Sequence, residues 1–390
     1  MKKFLAVLLV IIIAAGTGFA IWYFTTKPQK ETATNIYGVT GIGLSFTELE
    51  RTDNAVNMSY DWNGDIIESD FDNAYPWSHI KQVTDKATGN VFIKIPKFYS
   101  KYTINSDNSL MLQISNTKLN GFSTLFLDGN GQEIDYVMIG AYESVSEENS
   151  NGEIVLKSIS GYQPATNMNI NVVRDACKRN GENYQQFDFM IMNIVNQLFT
   201  VEFATTNSQS VFYGFCHKEI LGSVATGTVD SIGNATGSAV SINGAFKYRG
   251  IENLWGSTWT YVDGINYVGE DVYLSMTPSN YISGEVNETY FNIGKRIISE
   301  GKARGLKTIS FNSALAMVDG VIYIESNKEY NLSDYTLHKS TGEILTFGGP
   351  SGYAGRAGIW CWYGDHKATS TNGYYGSRLC YKPITSFVEN

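Results

Sequence analysis

Histidine and cysteine are scarce in this chain, with four of each among 390 residues. The cysteines (Cys177, Cys216, Cys361 and Cys380) form no C-x-x-C pair, and His79, His217, His338 and His366 sit in unrelated contexts, so a Cys/His zinc site has no support. In an exported chain four cysteines permit two disulfides, and their spacing leaves the pairing open. Basic runs are missing too. With a net charge of −9 there is no clustered Lys and Arg of the kind that phosphate backbones require, which excludes nucleic acid as a partner. No G-x-S-x-G elbow occurs, so a hydrolase of that type is not indicated. Among 38 acidic residues nothing selects a catalytic carboxylate pair.

What the chain does have is aromatic and glycine content: 25 Tyr, 20 Phe, 7 Trp and 38 Gly against only 7 Pro. It also has one long uncharged run, Phe4 to Phe24, after Lys2 and Lys3 and with Trp22 and Tyr23 near its end. That run is long enough to span a bilayer and carries interfacial aromatics. The alternative is a cleaved signal peptide ending at Ala20. Residues 1–30 are therefore expected to be a membrane anchor or signal segment, with a linker over 31–36 and an extracellular domain over 37–390. This predicts a single-pass cell-membrane protein, with a secreted or virion-associated protein as the alternative.

Within 37–165 the pattern is mostly strand and turn. NVFIKIPKFY alternates, with Val91, Ile93 and Ile95 on one face, and Pro96 predicts an edge or a bend. DYVMIGAYES reads as a more buried strand. DWNGDIIESD (61–70) has Gly64 in the fourth position, not the sixth that an EF-hand needs, and reads as a turn. DGNGQEID (128–135) likewise reads as a β-turn. Helical periodicity is confined to 170–205. Val172, Val173 and Ala176 mark a first helix that stops by Gly181, and Phe187, Ile191, Ile194, Val195, Leu198 and Phe199 mark a second, with Asp188 in its first turn. Residues 206–390 read as short strands, glycine-rich turns and long loops. The class expected is α+β, two helices packed on sheets.

The richest stretch is GYAGRAGIWCWYGDHKATSTNGYYGSRLCY (352–381). Large aromatics with few rotatable bonds alternate there with small polar residues, a composition suited to contact surfaces. The candidate ligand-binding residues are Tyr353, Arg356, Trp360, Trp362, Tyr363, Asp365, His366, Asn372, Tyr374 and Tyr375. In I-W-C-W-Y, strand alternation sends Trp360 and Trp362 one way and Ile359, Cys361 and Tyr363 the other, so one set is buried. Arg378 is expected to be structural. ENLWGSTWTYVDG supplies a second aromatic cluster, Trp255 and Trp259. Glu252, Asn253 and Asp263 offer oxygens to calcium, but without the patterns that calcium-dependent lectins use.

The order of RTDNAVN, FDNAYPW, NVFIKIPKFY, IGAYES, FTVEFATTNSQSVFYG and YRGIENLWGSTWTYVDGI, ending in FGGPSGYAGRAGIW…GYYGSRLCYKP, resembles phage tail and minor structural proteins. It is also similar to the variable proteins of diversity-generating retroelements. The resemblance implies a C-type-lectin-like fold of the formylglycine-generating-enzyme-like branch, in which Gly348–Gly349 precedes a diversified segment and Gly376–Ser377–Arg378–Leu379 closes it. It further implies a receptor- or adhesin-type module with no cofactor and no metal. Its partner would be a cell-surface protein or glycan, and homo-oligomers are compatible with it. A structural tail or envelope component is the second reading. A copper oxidase of that branch is the third, and the 19-residue separation of Cys361 and Cys380 argues against it.

Overall fold

The computed structural model describes residues 34–43, 48–107, 109–219, 221–232, 238–240, 244–295, 306–309 and 330–383. Strands dominate. β1 (Ile36–Ile42), β2 (Glu50–Asp53), β7 (Tyr99–Ile104) and β8 (Leu110–Ser115) form a sheet in the order β2-β1-β8-β7. A second sheet of five runs β12-β24-β9-β6-β5, from Tyr184–Gln186, Leu379–Tyr381, Tyr136–Gly140, Val91–Pro96 and Lys81–Thr84. A third runs β15-β14-β13-β4-β3, from Ile251–Glu252, Phe246–Tyr248, Ser238–Val240, Ile66–Ser69 and Tyr60–Asn63. The largest is centred on β16 (Trp259–Val268), which lies between β17 (Asp271–Leu274) and β21 (Ile344–Phe347). It continues through β22 (Trp362–His366) to β20 (Tyr330–His338), while β23 (Tyr375–Gly376) pairs with β16 in parallel.

Two α-helices are present among the described residues: α1 (Ile170–Lys178) and α2 (Phe189–Phe203). Asn169 caps α1, its side chain accepting from the amides of Asn171 and Val172, and Asp188 caps α2 by accepting from Ile191 N at 2.8 Å. Instead of presenting one apolar stripe, α2 is buried at every position. Its polar residues therefore need partners inside the protein. Asn193 donates to Phe189 O, and Glu202 is paired with Arg249 and accepts from Tyr248 Oη at 3.0 Å. Arg51 donates to the carbonyls of Val201 and Glu202 at 2.8 and 2.7 Å, which satisfies the last turn.

The α+β expectation with an N-terminal transmembrane helix is corrected: the chain is mostly β. The physical reason lies in 206–390. Polar-looking stretches such as WTYVDGINY are buried throughout β16 because strands cover both their edges, so what reads as loop pairs as sheet. Pro96 also does not mark an edge; it closes β6, which lies between β5 and β9. The placement as a single-pass membrane protein is corrected as well. Among the described residues no helix is long and apolar enough to cross a membrane. The 1–30 segment that prompted that expectation, and most of the 31–36 linker, lie outside the described residues. Ile36–Asn390 form one unit by internal contacts.

Lys382, just past β24, donates to Asp188 Oδ2 at 2.6 Å with both side chains essentially inaccessible. Gln185 Nε2 and Tyr281 Oη reach the same carboxylate at 2.8 and 3.1 Å. Replacing Asp188 by Ala removes the α2 cap and leaves Lys382 unpaired in the interior, a loss expected to be on the order of 3–5 kcal/mol. Val268→Ala, at an exposed site, should fall within about 0.5 kcal/mol of the parent in the same denaturant titration.

Candidate functional site

The C-terminal segment leaves β21 through Gly348 and Gly349, both in the left-handed region at φ 92° and 84°. A Cβ at Gly348 would lie 2.7 Å from Leu254 O, so the close approach of this turn to the Leu254–Trp255 loop requires glycine. The chain then splits its aromatics by alternation. Trp360 and Trp362 are 0% and 1% exposed and pack into the main core, Trp362 edge-on to Phe189 of α2. They support the face from beneath and offer no contact surface. Cys361 and Tyr363 point the other way into a small cluster with Trp259, against which Tyr353, Tyr374 and Tyr375 lie half-buried.

This second cluster is the candidate site. Trp259 and Tyr363 pack with their rings tilted at 4.7 Å between centroids, and Tyr353 sits edge-on to both at 5.1 and 5.6 Å. Exposed Arg356 lies over the Tyr353 ring at 4.3 Å. Alongside, His366 Nδ1 is 2.9 Å from Tyr375 Oη, and His366 Nε2 is 3.1 Å from Asp365 Oδ1. Lys339 Nζ lies 3.6 Å from the other oxygen of Asp365. Burial pushes His366 below the ordinary histidine value; Asp365 opposes this and Lys339 adds to it. Burial raises the tyrosine hydroxyls, Tyr353 and Tyr375 each to about 12, so both stay protonated donors at neutral pH. Asn372 is exposed, and its side chain accepts from Tyr374 N at 3.0 Å, shaping the turn that presents Tyr374. Tyr374 O in turn accepts from Trp259 N at 2.8 Å.

Reading the sequence alone misses the neighbouring loops. Ala354 N donates to Cys216 O, Ser351 N to Ser257 O, and Val224 N to Ser257 Oγ. Thr226 N donates to Tyr162 O, and Asn167 N to Asn372 O. These bonds lace 160–167, 213–219 and 221–226 to one another and to the aromatic segment. They bring along exposed Tyr162, Tyr213 and Leu221, the last 79% accessible. Isolated apolar residues in Gly- and Ser-rich loops carry no periodic signal that would have singled them out.

The calcium candidates do not converge. The Glu252 carboxylate accepts from Gly227 N and Val229 N, Asn253 Oδ1 accepts from Phe246 N, and Asp263 holds Arg174 in a two-point pair at 2.7 Å. Among the described residues no group of three or more His, Cys, Asp or Glu side chains could hold a metal ion. Arg378 is buried and donates to the carbonyls of Gly140, Glu252 and Asn253; burial pushes its guanidinium below the ordinary arginine value and the Glu143 carboxylate opposes this. Its role is to bind strands together. All four cysteines are buried free thiols. Burial raises Cys177, Cys216 and Cys380, the second to about 12. A thiolate-copper pair from Cys361 and Cys380 has no geometric support, because Cys361 lies in the aromatic cluster and Cys380 in the main core.

Two outcomes follow. A polar thiol reagent at neutral pH should label none of the four cysteines in the native protein and all of them after unfolding. Burial raises Glu252 from the ordinary 4.5 to about 7, so the folded state holds a proton that the unfolded state has released. Its stabilising contribution is complete below pH 4.5 and is lost as pH rises towards 7. Glu252→Gln should flatten that part of the stability–pH curve measured by urea unfolding; buried Glu143 and Asp263, both raised by burial, leave a slope of the same sign, and His366, lowered by burial, one of the opposite sign.

No protein-family model matches the sequence, and no curated protein matches it.

Proposed function

We propose that this chain is a non-catalytic binding module that engages a cell-surface protein or glycan through its C-terminal aromatic face. The observation that carries this reading is the tyrosine shelf itself. Tyr353, Tyr374 and Tyr375 stand half-exposed over a Trp259–Tyr363 pair, with Arg356 over the Tyr353 ring. Rings held this way present large contact area without losing much side-chain freedom on binding, and an arginine on an aromatic plane is a common energetic anchor. His366, Asp365, Asn372 and the tyrosine hydroxyls supply polar contacts at its border. The order of sequence segments, which resembles that of phage tail modules and retroelement-diversified proteins, fits such a role, and the loops that carry the shelf are those a diversified segment would occupy.

The test is binding of the full chain to a panel of bacterial cells and arrayed glycans. It is compared with a variant in which Tyr353, Arg356 and Tyr374 are changed to Ala and with a Phe291→Ala control elsewhere on the surface. The triple variant should keep the parent's circular dichroism and lose at least about tenfold in affinity, roughly 1.4 kcal/mol or more. Equal binding by parent and triple variant would remove the aromatic face from consideration. No binding by either would leave assembly with its own kind as the better account.

A further inference from the structure

The hairpin β3–β4 has no part in the aromatic face. Its register pairs Asn63 with Ile66, Trp62 with Ile67, Asp61 with Glu68 and Tyr60 with Ser69, around a two-residue turn with Gly64 at φ 68°. In such a hairpin the pair beside the turn exchanges both backbone hydrogen bonds, and bonded and non-bonded pairs alternate from there. Asp61 is therefore bonded to Glu68, and the bond from Asp70 N to Ser59 O at 3.0 Å continues the alternation. Tyr60 and Trp62 are the residues whose N–H and C=O groups point to the outer edge. β3 ends its sheet, and no other described strand pairs with it.

The side chains on that edge are of two kinds. On one face Trp62 is 54% exposed and Tyr60 40%, with Tyr60 edge-on to Phe203. On the other face Asp61 lies directly across from Glu68, a like-charge pairing that costs stability. Asp65 adds to it and there is no Lys or Arg from Thr52 through Ser78, while Asp70 accepts from Ser59 N and Oγ and feels the charge of Arg51. Protected edges usually carry lysine, proline or a bulge and leave no large aromatic uncovered. This one combines open backbone groups, an indole more than half exposed, and an Asp61–Glu68 pair that makes no ion pair among the described residues.

We propose that β3 is a strand-addition site for an extended segment of a partner protein in which Lys or Arg alternates with apolar residues. The segment's main chain would pair with Tyr60 and Trp62. Its apolar side chains would lie along the two rings, and its cations would face Asp61 and Glu68 on the opposite side. A second copy of this chain is the wrong occupant, because its β3 would bring Asp61 and Asp65 against the same charges.

The test uses the full chain and a synthetic peptide of four Lys-Val repeats, at an ionic strength of ~0.15 M so that exposed charges are screened beyond about 8 Å. Controls are a block peptide of the same composition and an alternating peptide N-methylated at every second residue. The alternating peptide should bind at least about tenfold more tightly than the block peptide. That binding should fall by about tenfold in Trp62→Ala and again in the double variant Asp61→Asn, Glu68→Gln, while N-methylation on the pairing edge abolishes it. Equal binding of block and alternating peptides, or undiminished binding after N-methylation in both possible registers, would show attraction to net charge alone and overturn the proposal. So would the absence of binding to the parent. Sedimentation that shows a dimer lost in Trp62→Ala would assign the edge to a second copy instead.

Discussion

A fifteen-residue helix enclosed on all sides sets the terms for the rest of this molecule. Because no face of α2 meets water, the polar groups at its two ends are answered by other elements. Asp188 at its start is met by Gln185, Tyr281 and Lys382, the last from beyond β24. At its end, Arg51 from β2 takes the carbonyls of Val201 and Glu202, and Arg249 takes the Glu202 carboxylate. In the middle, Trp77 Nε1 donates to Leu198 O. Residues separated by more than three hundred positions are thus tied to one helix. The apolar contacts follow the same plan, with Phe199 and Phe203 gathering Phe212, Tyr248 and, through Phe199, Trp255.

The candidate site is a by-product of that enclosure. Phe189 at the helix start packs on Trp362, and Trp362 packs on Trp360, so these two tryptophans are committed to the interior. Strand alternation then obliges Cys361 and Tyr363 to face away from the helix, where Trp259 from β16 receives Tyr363. A rigid aromatic floor arises there from core packing alone, and the loops above it are free to differ.

How legible this was in the sequence depended on whether the signal was local. The helical spacing around Val173 and Ile194, the alternation in Val91–Ile95 and the turn at Gly64 are all written within a few residues, and each has a structural counterpart, while Asp188, expected in the first turn of the second helix, caps it instead. The opposition of Trp362 to Tyr363 was legible for the same reason, although which of the two would be buried against the helix was not. What escaped depends on distant partners. β16 carries Thr, Asp, Gly and Asn in a buried strand because Arg174 neutralises Asp263 and Asn266 donates to the carbonyls of Ile282 and Glu285, none of which spacing can reveal. The all-round burial of α2 escaped because Asn193 and Glu202 are polar, and the groups that receive them inside the protein, Phe189 O and Arg249, are not written in the spacing.

The position of β24 has a consequence for how the protein comes into being. Residues 379–381 lie between β9 and β12, which precede them by some two hundred positions or more. Until they leave the ribosome, the inner edges of two strands stand open and Lys382 has not reached Asp188. The central sheet therefore cannot close while the chain is being made, and non-local pairing of this kind is slow and prone to misassociation. A nascent chain stalled before residue 379 would hold nearly all of the apolar core sequence without the strand that joins its two halves, and would be a natural client for chaperones.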